Sequence, residues 1–406
     1  MNRMWIPLLA LASGLAPSLA SAVIIYDDGA EHTIDTPVTE SVRVGDSSAV
    51  RVVSGGSITG NGSTTGADEL RGAISTERNT FGHRISLEGN AHVQAGAERF
   101  AIARSLGGRL SIADNSIVDA RVPGGTAIYG IGFAPGPGIP TTPTLRTTIS
   151  DNARVNGNVQ TDGIIEISGN AFINGSLGQV NSGILLFMSG GTISGNVTTT
   201  GNIDHMVSLT GGEILGNFGS GFGLASSMDF SMQDGRIAGN WSVNSLLLDV
   251  NIRGGSIEGG MRFVDTRGPQ SNIQFFGGAI DTAIGSWLLD LGPAAPIGPG
   301  GCGTSQASFD FWGGQFGYSS AGLGMRLDHC STVDIYGTGL AYAGGLLTGT
   351  LADGSLLNLS VTEASTWVGA VRLHDVSVPE PGTLGLFAVA LGGLAFTRRR
   401  KIATVR

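Results

Sequence analysis

The segment Gly211-Gly212-Glu213-Ile214-Leu215-Gly216-Asn217 contains the pattern that decides the fold. It consists of a Gly-Gly turn, an isoleucine two residues after the turn, and a closing Gly-Asn pair. The second turn residue has counterparts at positions 191, 235, 255 and 278, so the unit repeats every 20 to 23 residues. A period of this size is typical of solenoids, in which each repeat is one supersecondary unit stacked on the next.

A second form of the turn, one residue longer, dominates the earlier part of the chain. It begins with Gly89-Asn90, Asp114-Asn115, Asp151-Asn152 and Gly169-Asn170. Glycine, asparagine and aspartate enter the left-handed backbone region at lower cost than other residues. The occurrence of these three residue types at the turn of each repeat therefore predicts a bend with positive φ in every repeat.

Apolar residues alternate with polar ones before each turn, as at Phe230 and Met232. This alternation predicts strands with one buried face, each about four residues long. Strands this short are not stable as isolated hairpins, whereas stacking equivalent strands of successive repeats lets them pair in parallel. We therefore predict an all-β fold, a right-handed parallel β-helix. One isoleucine per repeat should line up inside it, namely Ile193, Ile214, Ile237, Ile257 and Ile280.

The predicted solenoid is a rod. At a spacing of about 4.8 Å between strands, about eleven to thirteen rungs give a length of roughly 55–60 Å. The competing folds are an antiparallel β-sandwich and a propeller, which also combine short strands with glycine turns. The turn chemistry favours the β-helix, because it repeats at every rung and does not alternate between two hairpin types.

Composition excludes several classes of partner. The chain has 23 Lys+Arg and 32 Asp+Glu, a net charge of −9, and its one lysine is Lys401. An acidic body without basic clusters argues against binding nucleic acid or anionic lipid, since both require cationic patches. The 67 glycines accompany an apolar fraction of 41%. That combination indicates many tight turns between short strands, because disordered chains are less apolar.

The N-terminal 22 residues have the features of a signal peptide. Arg3 supplies a positive start, an apolar stretch covers residues 6–19, and Ala20-Ser21-Ala22 is an A-x-A cleavage site with Ala20 and Ala22 as its small residues. We expect the mature chain to begin at Val23. An N-terminal membrane anchor is the alternative, but the segment is short and is interrupted by prolines.

The C-terminal residues form a second sorting pattern. An apolar run at 384–396 is shorter than the roughly 20 residues that span a bilayer as a helix. It follows the motif Pro379, Glu380 and Pro381. It precedes the basic cluster Arg398, Arg399, Arg400 and Lys401.

This arrangement resembles the PEP-CTERM tail of exported proteins of Gram-negative bacteria. The resemblance implies recognition by an exosortase and cleavage near the Pro-Glu-Pro motif. It further implies that the tail is a short apolar helix. Before processing, this helix would associate transiently with the inner membrane as a transmembrane helix. Delivery to the cell surface or to an extracellular polysaccharide matrix would follow.

These observations divide the chain into five segments. Two Gly-rich intervals, near 132–143 and 291–303, are predicted to be loops inserted between rungs. The segment before the tail resembles a strand region common upstream of PEP-CTERM tails and is expected to cap the solenoid. The segments are a signal peptide at 1–22, an N-terminal strand or cap region at 23–48, the rungs at 49–330, the capping segment at 331–376 and the sorting tail at 377–406.

The chain has two cysteines, Cys302 and Cys330. In an oxidising exterior they are a natural disulfide pair, and the bridge would stabilise the fold by about 2–4 kcal/mol. Two unpaired buried thiols are the alternative. No metal site is predicted, because neither these cysteines nor the scattered histidines have the spacing of a four-ligand set.

One pair of carboxylates deserves comparison with catalytic sites. Asp229 and Asp249 each lie six residues before the second turn residue of their repeat, so stacking would place them about 5 Å apart on adjacent rungs. Such a pair could act as an acid catalyst with a raised pKa, or share a calcium ion. A polar row at the corner of the rungs is the structural interpretation. His205 and His374, each beside an aspartate, are expected at exposed loops or edges.

A further row is predicted from Asn61, Asn196, Asn217 and Asn240, which end equivalent units and should form an internal hydrogen-bonded ladder. The sequence contains no nucleophile elbow, phosphate-binding loop or zinc-protease motif.

The most economical hypothesis is an exported, exosortase-processed structural protein of the surface or matrix, associated with exopolysaccharide or biofilm. The alternatives are a polysaccharide lyase or glycoside hydrolase on the same scaffold, and an adhesin. The scattered tryptophans favour no single sugar-binding groove.

Overall fold

A computed structural model of the chain gives the fold. It describes residues 22–62, 70–77, 80–132, 145–179, 184–199, 204–220, 227–244, 247–264, 271–281, 287–290, 307–317, 323–327, 331–363 and 369–376. The described part is all-β, with strands that we number β1 to β38 along the chain. Successive turns of the chain form three parallel stacks of strands, which we call faces A, B and C.

Face A contains the first strand of each rung. Every pairing within it is parallel. Its strands are β1 (Val23–Tyr26), β4 (Ser41–Val44), β7 (Gly72–Thr76), β10 (Phe100–Ser105), β13 (Thr126–Ile131), β16 (Asn158–Thr161), β19 (Leu177–Gly178), β21 (Val197–Thr199), β23 (Phe218–Ser220), β25 (Trp241–Asn244), β28 (Met261–Val264), β31 (Trp287–Asp290), β34 (Leu323–Leu327) and β37 (Leu356–Glu363).

Face B contains the second strand of each rung and is also parallel throughout. Its strands are β2 (Glu31–Ile34), β5 (Ala49–Val52), β8 (Arg84–Leu87), β11 (Arg109–Ile112), β14 (Arg146–Ile149), β17 (Gly163–Ile167), β20 (Ile184–Ile193), β22 (His205–Ile214), β24 (Ser227–Ile237), β26 (Leu247–Ile252), β29 (Asn272–Phe275), β32 (Ser308–Phe311), β35 (Thr332–Ala343) and β38 (Ala370–Asp375).

Face C is built from the short third strands and from the C-terminal parts of β20, β22 and β24, which continue around the bend. The short strands are β3 (Pro37–Val38), β6 (Ser57–Thr59), β9 (His92–Gln94), β12 (Ile117–Asp119), β15 (Arg154–Asn156), β18 (Phe172–Asn174), β27 (Ser256–Ile257), β30 (Ala279–Ile280) and β33 (Gln315–Phe316).

The prediction of a parallel β-helix is confirmed. Fourteen described strands stack in face B, which at about 4.8 Å per step gives a rod of about 62 Å. Rungs begin at β1 to β3, within the segment predicted as an N-terminal strand or cap region. The right-handed sense of the helix and the division into segments stay predictions. Both predicted loop intervals fall largely outside the described residues, as does the predicted helical tail.

The predicted interior column of isoleucines is confirmed. Each of the five pairs in register with the next, and none has more than 2% of its surface exposed. Larger rings fill the interior further along, where Phe218, Phe230, Trp241 and Phe263 pack with centroids 4.8–6.3 Å apart. The solenoid therefore has one continuous apolar core along most of its length.

The predicted left-handed bend also recurs. In the shorter turn the second residue has positive φ, as at Gly191 (77°), Gly212 (84°) and Gly255 (79°). In the longer turn the same region is occupied by aspartate at Asp114 (57°) and Asp151 (59°). A side chain there is tolerated only where the turn leaves room for it, which explains why glycine and aspartate alternate between repeats.

The C-terminal end departs from the parallel pattern. The second half of β35 pairs antiparallel with β36 (Leu346–Leu351), which pairs antiparallel with β37. The end of β37 then returns to face A, where it pairs in parallel with β34. β35, β36 and β37 thus form a three-stranded antiparallel meander at this end, and β38 pairs with β35 in face B.

We predict that Gly212→Ala destabilises the solenoid strongly. A methyl group at this position would lie 2.6 Å from both the carbonyl oxygen of Gly190 and the Cε of Met188, at a φ of +84°. Backbone strain of about 1–2 kcal/mol and overpacking of about 1–3 kcal/mol should add. Urea unfolding measures the sum.

Gly124→Ala is the matched control. Its φ is +74°, and a methyl group there would have nothing within 4 Å. The loss of stability should therefore come from backbone strain alone, without overpacking. Equal losses in the two variants would contradict the packing of the rungs described above.

Candidate functional site

Asp229 and Asp249 are brought together as predicted. They pair directly across β24 and β26, at equivalent outward positions of neighbouring rungs, and both side chains are exposed. The strand pattern places them there, because Met228 and Phe230 on either side of Asp229 point into the core. We call Asp229 and Asp249 the aspartate row.

The aspartate row has a measurable electrostatic consequence. Partial burial, followed by the charges of Asp249 and Asp204, raises the pKa of the Asp229 carboxyl above its ordinary value. Like charges directly opposite each other on paired strands destabilise the fold. Within the described residues neither Asp229 nor Asp249 has an ion pair with a cation.

The surroundings of the aspartate row are those of a flat sheet. Met206 precedes it in register and Asn272 follows it. Carboxylates on adjacent rungs have the separation of a retaining glycosidase pair, about 5 Å. Within the described ranges, no three His, Cys, Asp or Glu side chains are close enough to hold a metal ion. The two carboxylates alone can repel each other, share one proton or bind a cation from solution.

Three arginines further along the same column were missed by the sequence analysis. Arg84, Arg109 and Arg146 pair in register on β8, β11 and β14, and all three are exposed. We call them the arginine row. Arg146 makes a two-point contact with Glu166 of the next rung. In the described part of the chain, Arg84 and Arg109 have no ion pair. The inference that the body has no basic cluster was therefore wrong at this place.

A buried arginine inside the solenoid was also unexpected. Arg104 points inward from β10 with no exposed surface, and its Nη atoms donate to the Thr147 hydroxyl (2.6 Å) and the Arg146 carbonyl (3.2 Å). Among the described residues, neither its Nε nor either ring nitrogen of His83 has a hydrogen-bond partner. Burial lowers the pKa of Arg104 to about 9. Burial and the nearby Arg104 charge lower the pKa of His83 to about 3.

An aromatic column occupies the corner between faces B and C at the C-terminal end. Phe276, Trp312, Tyr336 and His374 stack on successive rungs with centroids 3.7–6.3 Å apart and nearly parallel planes. The His374 ring also contacts the Asp334 carboxylate at 2.7 Å. Because each ring covers the face of the next, these faces are not free to stack on a sugar. The column stabilises the rungs that carry it.

Asparagine side chains form hydrogen-bonded ladders along two corners of the solenoid, and both ladders lie on its outer surface. The Asn196 and Asn217 side-chain oxygens accept hydrogen bonds at 2.8 Å from the backbone N–H groups of Asn217 and Asn240. Asn196, Asn217 and Asn240 are exposed, and Asn61 is half-buried and donates to the Ala22 carbonyl at 3.0 Å, so the prediction of an internal ladder was wrong. His205 was expected to be exposed and is instead buried. It is 3% exposed, and its Nδ1 accepts from the Ile184 N–H at 3.4 Å.

The remaining predicted site residues lie outside the described residues. These are the signal-peptide Ala20, both cysteines and the whole sorting tail; Ala22, at the predicted cleavage site, is described and exposed. Among the described residues, no helix is long and apolar enough to span a membrane.

In a comparison with known families, residues 377–401 match the PEP-CTERM protein-sorting motif. The chain carries a PEP-CTERM sorting signal. It is therefore an exported protein, targeted to an exosortase and sorted toward the cell surface. No curated protein and no solved structure matches the chain.

We predict that Asp229→Asn stabilises the protein at pH 7 and has no effect near pH 3. The raised pKa of Asp229 means that the folded state disfavours its ionised form, so the penalty exists above that pKa and disappears as the pH falls through it. The gain should be less than about 1 kcal/mol, since the side chain is exposed. Urea unfolding at both pH values in dilute solution measures it.

Asn272→Asp is the converse control, because it extends the aspartate row by one rung. It should lower stability at pH 7 only. If Asp229→Asn destabilised the protein at neutral pH, the carboxylate would have a favourable partner and the repulsion account would be wrong.

We also predict that His83→Leu removes part of the acid sensitivity of the fold. The unfolded histidine has its ordinary pKa near 6.5 and the folded one about 3, so stability is complete above the unfolded value and is lost as the pH falls. The loss should be about 1.4 kcal/mol per pH unit between pH 6 and 4. Unfolding free energies across this range should fall less steeply in the variant; identical slopes would show that His83 is solvated.

Proposed function

We propose that this exported protein is a structural component of the cell surface or extracellular matrix of a Gram-negative bacterium, where it is associated with exopolysaccharide or biofilm. The observation that carries the proposal is the PEP-CTERM signal joined to a solenoid. A rod with a continuous apolar core suits a spacer or scaffold outside the cell, because its stability is spread over many equivalent rungs.

The outer surface supports this function. The exposed asparagine ladders at the corners of the solenoid offer neutral hydrogen-bond donors and acceptors on successive rungs. A polysaccharide presents hydroxyl groups that match such side chains along its length. Acidic residues outnumber basic ones in the chain, and the excess grows when the signal peptide and the basic tail are removed, which keeps the rod soluble and separates it from anionic surfaces.

A carbohydrate-active enzyme is the second candidate, and the aspartate row is the observation that favours it. The pair has suitable spacing and one raised pKa. Its position on a flat face next to Met206, with no cationic side chain paired to it in the described residues, favours the structural function.

The proposal predicts exosortase-dependent processing, which intact-mass measurement can follow. The chain is expressed in a host that has an exosortase and in the same host with that gene deleted. In the first host alone, a species that begins at Val23 and has lost the tail should accumulate at the surface.

A variant with Pro379→Ala and Glu380→Ala is the control, and it should stay unprocessed in both hosts. An intact tail on the wild-type chain in both hosts would contradict the proposal, because the C-terminus would then be an ordinary anchor.

A further inference from the structure

The arginine row and the aspartate row belong to one outward column of face B. Between them the same column contains Ile164, Leu185 and Met206, each paired one to one with the next. Met206 is 39% exposed, and Phe187, beside Leu185 on the same strand, is 37% exposed. Along the rod the column therefore changes from cationic to apolar to anionic.

This order is unfavourable within one chain. Arg84 repels Arg109, and Asp229 repels Asp249, because like charges stacked in register repel. Arg146 is compensated by Glu166, and the two rows are too far apart to neutralise each other. From Arg109 to Asp249 the column spans six rungs, which is about 29 Å. A large exposed phenylalanine and methionine in the centre add apolar surface without a described partner.

A second copy in the opposite direction resolves both problems. A two-fold axis along the strand direction, through the rung of Leu185, reverses the order of rungs and leaves each column facing itself. Arg146 and Asp229 both lie two rungs from Leu185, on opposite sides, and Arg109 and Asp249 both lie three rungs away. Arg146 and Arg109 of one copy then face Asp229 and Asp249 of the other, and Arg84 faces Asn272.

The apolar residues match in the same way. Ile164 and Met206, one rung on either side of the axis, face each other, while Leu185 and Phe187 face their own copies. A parallel arrangement of the two rods would instead place arginine against arginine. The charge pattern therefore selects the antiparallel arrangement, and the interface is isologous, as two-fold dimers require.

We propose that face B, from β8 to β29, is the interface of an antiparallel homodimer. Nine rungs about 4.8 Å apart and about four residues wide cover about 560 Å² on each copy, or about 1,100 Å² in total. This is slightly above the area of about 1,000 Å² at which specific interfaces begin. The neighbouring outward column consists mostly of Ser, Thr, Asn and Gln, which allows the two sheets to approach.

Charge reversal tests the pairing. Arg109→Asp and Asp249→Arg each place like charges opposite one another in the dimer, whereas the double variant restores the complementary pair. By sedimentation velocity at low ionic strength, the wild-type full-length chain should be a dimer, each single variant should dissociate at least tenfold more readily, and the double variant should recover. Arg154→Asp, on face C, is the control and should leave the dimer intact.

Monomeric stability separates this interface from a general loss of structure. Each single reversal also removes a like charge from its own row, so unfolding in dilute solution should show no loss of stability while association weakens. A monomeric wild-type chain at low ionic strength, or a double variant that fails to recover, would overturn the proposal.

Cross-linking fixes the position of the axis. In a background with Cys302 and Cys330 changed to serine, Leu185→Cys places two thiols on the axis within reach of a short bis-maleimide. Asn272→Cys in the same background places them eight rungs apart, about 38 Å. A covalent dimer should form only in the first variant. Equal yields, or a cross-linked ladder of higher oligomers, would show a different or end-to-end contact.

Discussion

One-to-one parallel pairing between successive rungs is the constraint on which the rest of this structure depends. It aligns each side chain with its equivalents above and below, so that isoleucines meet isoleucines inside and asparagines meet asparagines outside. The left-handed bend makes this alignment repeatable, because it returns the chain to the same corner in every repeat. A side chain is therefore selected by what lies one rung away, and the same alignment that concentrates favourable contacts also concentrates like charges.

Much of the fold could be predicted because its signals are local. The positive-φ turns, the alternation of the strands and the isoleucine two residues after each Gly-Gly all lie within a dozen residues of each other. The spacing of Asp229 and Asp249 was readable for the same reason, since both are measured from a turn in their own repeat. The sorting tail is a contiguous motif, and it did not depend on the fold at all.

The arginine row could not be found in this way. Arg84, Arg109 and Arg146 are separated by 25 and 37 residues, because the chain between them includes insertions of unequal length. Only the pairing of β8, β11 and β14 aligns them.

The sequence also did not show whether a side chain at a corner points into the solenoid or out of it. The asparagine ladder was expected inside and lies outside, and His205 was expected outside and is buried, because a residue at a corner can turn either way without changing the repeat. Counting tryptophans likewise missed the external column, which mixes four ring types.

The most direct test of the account is a distance along one column. Ser111 and Ser231 lie in the same outward column of face B, five rungs apart. Spin labels at Ser111→Cys and Ser231→Cys, in a background with Cys302 and Cys330 changed to serine and diluted with unlabelled chain, report their separation by pulsed dipolar spectroscopy. In-register stacking predicts a narrow distribution centred near about 24 Å. A broad distribution, or one centred beyond about 35 Å, would show that the rungs do not stack in this register and would contradict both the fold and the surface derived from it.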